Sequence, residues 1–62
     1  MRKVADITDD RGDWVRLDIK PGPNLDTPVV YKITVYDGDI ASVELNDEQA
    51  LALLDALWEA TA

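Results

Sequence analysis

The sequence predicts an α+β fold: an antiparallel β-meander of three to four strands, then one C-terminal amphipathic helix packed on one face, in the order β-β-β-β-α. Three observations predict it. Two runs, Trp14 to Lys20 and Val29 to Tyr36, alternate apolar with polar residues and are rich in β-branched side chains. Clusters of Asp, Gly and Pro interrupt the chain where turns are needed. From Asp47 onward the apolar residues recur at helical spacing.

The first strand, Lys3 to Thr8, carries the weakest alternation, with Ala5 and Ile7 set against Val4 and Asp6. The segment Thr8-Asp9-Asp10-Arg11-Gly12-Asp13 is polar and suits a hairpin loop. In the second strand Val15, Leu17 and Ile19 share one face, and Trp14, Arg16, Asp18 and Lys20 the other. Pro21 to Pro28 holds three prolines and a glycine, which makes a rigid irregular loop because proline lacks a ladder donor and restricts its predecessor. Val29, Tyr31, Ile33 and Val35 then share one face of the third strand.

The turn to the fourth strand has two readings. A two-residue loop at Asp37-Gly38 sets Tyr36 opposite Asp39 and Ile33 opposite Ser42, mixing apolar and polar residues on both faces. A three-residue loop, Tyr36 to Gly38 with Gly38 left-handed in a bulge, pairs Val35 with Asp39, Ile33 with Ala41, Tyr31 with Val43 and Val29 with Leu45. The second keeps the apolar set on one face, so it is the expected register. Asn46 and Gln49 then form a capping-box variant, and Asp47 and Glu48 lie where the helix dipole favours negative charge. The helix is expected from Asp47 to about Ala60. Ala50, Leu53, Leu54 and Leu57 make its core stripe, which Leu51 and Trp58 widen.

At 62 residues this is one small domain, and chains of that size usually gain stability from disulfides, a metal or a partner subunit. The chain has neither cysteine nor histidine, which removes disulfides, thiolate nucleophiles and the common zinc sites. Burial of a second apolar surface in a homo-oligomer, a dimer first of all, is the expected remedy. The net charge of −7 disfavours direct binding to a phosphate backbone and suits a basic partner or simple solubility. The N-terminal segment shows no apolar run fit for a signal peptide, and no stretch approaches a membrane span, so the expectation is a cytoplasmic protein with no membrane partner.

No catalytic, cofactor or metal residue is expected. From Asp9, the third position of a calcium loop is Arg11 and the twelfth Lys20, which breaks the ligand pattern. The Asp-rich turns are explained by aspartate capping its own backbone, and Arg11-Gly12-Asp13 reads as a tight polar loop. Ser42, the sole serine, has no histidine to activate it. A glycine-rich phosphate loop is missing too, and paired carboxylates need a cleft that so small a sheet lacks.

Two surfaces are candidates for partner binding. If Leu17 pairs with Ile33, Trp14 lies opposite Tyr36 and Asp18 opposite Lys32, on the face away from the helix. That face then presents Trp14, Val30, Tyr36 and Ile40 among Arg16, Lys32, Thr34 and Glu44, an aromatic patch with a polar rim. The structural alternative is that Trp14 covers its neighbours' aliphatic stems. Leu51 and Trp58 form the second candidate patch, against the alternative that Trp58 closes the core edge.

The stretch from Val43 to Leu54, a strand, a capping residue, an acidic-Gln-Ala turn and a Leu/Ala helix, resembles the tail of small uncharacterised actinobacterial and actinophage proteins. The resemblance implies a phage or bacterial accessory protein and assigns no functional residue. The expected function is a non-enzymatic protein–protein interaction module, self-associating, that binds another protein such as a host factor. The alternative is an acidic mimic of a nucleic-acid backbone that occupies a DNA- or RNA-binding protein.

Overall fold

The computed structural model describes residues 2–61. Four strands, β1 (Arg2–Thr8), β2 (Trp14–Pro21), β3 (Val29–Tyr36) and β4 (Ile40–Leu45), form one antiparallel sheet in the order β1-β2-β3-β4. A single helix, α1 (Asp47–Thr61), follows. The α+β class and the antiparallel sheet are those the sequence predicts.

The β2–β3 register is the expected one, with Leu17 opposite Ile33, Asp18 opposite Lys32 and Trp14 opposite Tyr36. The β3–β4 register differs from expectation. Val35 faces Ala41 rather than Asp39, Ile33 faces Val43, and Tyr31 faces Leu45. The loop is therefore Asp37 to Asp39, one residue later than expected, and Tyr36 pairs with Ile40. Gly38 does take positive φ, at 81°, but inside the loop rather than in a bulge. The physical reason is the aspartate. In the expected register Asp39 stands on the apolar face beside Val35; in the observed one it leaves the sheet for the loop, where its carbonyl accepts from Asp37 N–H. The irregularity in the sheet lies in β1 instead, between Lys3 and Ala5, where Val4 is the extra residue.

The registers sort the side chains into cross-strand rows. One face, here called inner, carries Ile7, Val15, Val35 and Ala41 in one row and Ala5, Leu17, Ile33 and Val43 in the next. Ile19, Tyr31 and Leu45 follow in a third. The outer face carries Trp14, Tyr36 and Ile40 at one end and Asp18, Lys32 and Glu44 towards the other.

The turns between strands follow from residue chemistry. At the β1–β2 turn, the Asp9 carboxylate accepts from the backbone N–H of Arg11 at 2.8 Å and of Asp13 at 3.0 Å, while Gly12 takes φ of 90°. The Arg11 guanidinium lies 3.6 Å from Asp9 and 3.4 Å from Asp13, so the Arg-Gly-Asp tripeptide is folded on itself. The proline loop is closed by Gly22 N–H donating to the Pro28 carbonyl at 2.9 Å, and Asn24 accepts from Thr27 N–H within it. At the start of α1, Gln49 N–H donates to the Asn46 side chain at 2.9 Å, and the Gln49 side chain accepts from Asn46 N–H at 3.0 Å.

Packing departs from the expectation of a helix laid tightly on the sheet. No residue of α1 is buried. Leu51, Leu53, Leu54 and Leu57 are all exposed, as are Ile7, Val35 and Val43 on the inner face. Among the described residues the buried ones lie on the other side: Asp18 at 3% exposure and Val30 at 8%. The radius of gyration is 12.9 Å and the extents are 40 × 28 × 17 Å. A compact chain of this length has a radius of about 11 Å. The molecule is flat and open on its inner side.

Candidate functional site

The helix and the sheet enclose an apolar groove of about 620 Å³. Leu17, Ile33 and Leu45 form its floor, and Leu51, Leu53, Leu54 and Leu57 its helical wall. Tyr31 and Asp47 supply its polar groups. The Tyr31 hydroxyl is held above its ordinary range because the Asp47 carboxylate beside it acts as an acceptor for its proton, with the charge of Asp47 adding to the effect. The groove combines a broad apolar lining with one polar handle.

Of the expected patch residues, the fold brings Trp14, Tyr36 and Ile40 into one outer-face row. The Trp14 and Tyr36 rings stack with centroids 5.8 Å apart and planes 14° from parallel, an arrangement that stabilises by about 0.5–1.5 kcal/mol beyond the area it buries. Both rings are half-buried and Ile40 is exposed. Val30 is a correction: it is buried and presents no surface. Lys20, its cross-strand neighbour, reaches across β3 to the Glu44 carboxylate on the same face, a geometry in which an aliphatic stem can cover a neighbouring valine. Leu51 and Trp58 are both exposed on the helix, Trp58 at 75%; Leu51 lines the groove.

Sequence reasoning missed two features. The groove is one, although the breadth of the apolar arc on α1 is its signal. Asp18 is the other. Its burial among Arg16, Lys32 and Lys3 follows from the outer-face rows, and Arg16 Nε donates to its carboxylate at 3.1 Å.

No family model, curated protein or solved structure matches this chain. Chemistry and geometry therefore carry the functional reading by themselves. Among the described residues no three acidic side chains gather where they could hold a metal ion, and no helix is long and apolar enough to cross a membrane. A second, smaller concavity of about 220 Å³ lies between the proline loop and the helix start, lined by Asp26, Asp47 and Glu48 among others.

The β1–β2 turn sets a pH dependence. Asp13 titrates above the ordinary aspartate range, chiefly because of desolvation and then because of the Asp9 and Asp37 charges. A carboxyl whose folded pKa is raised binds its proton more tightly in the folded state. Its contribution to stability is therefore greatest at low pH and falls as pH rises from the ordinary range through the raised value. Asp13→Asn is expected to remove that part of the pH profile, seen as a smaller fall in the urea midpoint across the acidic range. Glu44 has the opposite sign, since hydrogen bonding to Lys20 lowers its pKa and its stabilisation is lost on acidification. An Asp13→Asn profile parallel to wild type would contradict the assignment.

Proposed function

We propose that this chain is a non-enzymatic protein–protein interaction module that self-associates, as a dimer first of all, and then engages a protein partner. The observation that carries the reading is the open inner side, where apolar rows of the sheet and the leucines of α1 remain exposed together. Scattered apolar residues are normal on a surface, whereas a contiguous set of this breadth marks an interaction site. In this reading the amphipathic packing of α1 is completed by association.

The outer row of Trp14, Tyr36 and Ile40 is the surface offered to a different protein, with Arg16, Lys32 and Glu44 supplying a polar rim. A phage or bacterial accessory protein that binds a host protein is the biological role that accords with the tail resemblance and the acidic charge. The same reading puts the module in the cytoplasm, since a chain without cysteine has no disulfide to protect from reducing conditions.

Sedimentation velocity over a micromolar concentration series tests the self-association. A dimer mass that dissociates on dilution is expected. A strict monomer throughout removes the reading.

A further inference from the structure

Two quantities bear on what covers the inner side. The chain exposes 5027 Å² of surface, whereas a compact folded monomer of 6.9 kDa exposes about 4,000 Å². The excess is about 1,000 Å² per chain, so two chains that each hide their excess bury about 2,000 Å² in total. That is the area where standard interfaces end and obligate homodimers begin. The second quantity is the helix arc. At about 100° per residue, the apolar positions from Leu53 round to Leu51 span about 160°, wider than one contact with one sheet requires. Leu54 and Trp58 lie between those limits.

We infer that the groove is filled by the α1 helix of a second copy, in a two-fold arrangement where each helix seats between the other copy's helix and inner sheet face. This deepens the self-association reading and rests on it. A two-fold pair makes the interface reciprocal, so one wide apolar arc serves as insert for the partner and wall for its own groove. The arrangement uses the exposed inner positions Val35 and Val43 as well as the groove floor, and it leaves the Trp14–Tyr36 face free. Charge permits the contact at close range. Three of the four acidic residues of α1, Glu48, Asp55 and Glu59, lie off the apolar arc; the fourth, Asp47, lies on it but in the first turn beside Tyr31, so beyond that turn two helices meet through leucine rather than through like charges.

The test compares substitutions on the two faces by sedimentation of the full chain, with far-ultraviolet circular dichroism as the check on folding. Leu54→Glu keeps helix propensity and alters a side chain already exposed in the single chain. It is expected to weaken the dimer by roughly 100-fold or more, since it places a carboxylate in an apolar contact. Ile40→Glu, on the outer face, is expected to leave the dimer intact. A dimer that survives Leu54→Glu but dissociates with Ile40→Glu overturns the groove assignment while leaving self-association standing. A wild-type monomer overturns both. Because the native chain has no cysteine, cross-linking gives a measurement independent of Leu54. Mixing Leu51→Cys chains with Val35→Cys chains under oxidation is expected to give the mixed disulfide dimer, and Leu51→Cys with Ile40→Cys is not. Equal yields from both mixtures, or none from the first, reject the arrangement.

Discussion

Gly22→Ala is expected to destabilise the fold by about 2–3 kcal/mol. A Cβ at this position would stand 1.6 Å from the Thr27 carbonyl oxygen and 2.6 Å from its carbon, with the Pro28 carbonyl carbon at 3.0 Å. All three atoms are backbone, so no side chain can rotate away. The segment cannot shift cheaply, because Pro21, Pro23 and Pro28 restrict it and the Gly22 N–H to Pro28 bond closes it. A domain of this size has about 3–9 kcal/mol of stability in all, so the loss is a large fraction of it. Gly38→Ala makes the contrast. There φ is 81° but the space is open, so only the left-handed conformation is penalised, by about 1–2 kcal/mol. Urea midpoints at one protein concentration check both. Equal losses at the two positions would show that close approach to Thr27 does not govern Gly22.

Arg16→Leu is expected to cost about 2–3 kcal/mol, a large effect for a residue whose side chain is 43% exposed. The cost arises at Asp18, which loses the donor to its carboxylate while staying shut away from water. Lys32 and Lys3 flank Asp18 across the strands and keep the loss below that of an isolated buried charge. Asp18→Asn in the Arg16→Leu background is expected to recover part of the stability, because the uncompensated charge is gone. If Asp18→Asn makes the Arg16→Leu chain weaker still, the carboxylate is not the source of the loss.

The faces of the sheet were legible because side chains alternate with a period of two. Val15, Leu17 and Ile19 match Tyr31, Ile33 and Val35 in one way only if the apolar set is to stay together. The same period explains the error at the next hairpin. Expected and observed β3–β4 registers differ by two residues, and a shift of two leaves every side chain on its original face. Apolar patterning has no power to choose between them. Asp39 did carry the distinguishing information, since only the observed register removes it from the apolar face.

The openness of the inner side was legible only indirectly. Leu51 and Trp58 make the helix broader in apolar surface than its own sheet requires, but helical spacing does not say how far a helix stands from the sheet. Outer-face burial was hidden for another reason. Val30 reads as an exposed valine until Lys20 is seen to cross β3 toward Glu44, a contact between residues 24 positions apart. Long aliphatic stems cover neighbours that local sequence marks as surface.

The two tryptophans, one stacked on Tyr36 in the outer row and one near the end of α1, give the molecule two optical signals from opposite sides. Indole emission moves to shorter wavelength when the ring leaves water. Trp58, exposed in the single chain, therefore reports what happens on the helix side, while Trp14, half-buried beside Tyr36, has less water to lose and shifts less. A large shift to shorter wavelength therefore marks cover of the helix side, with no label attached.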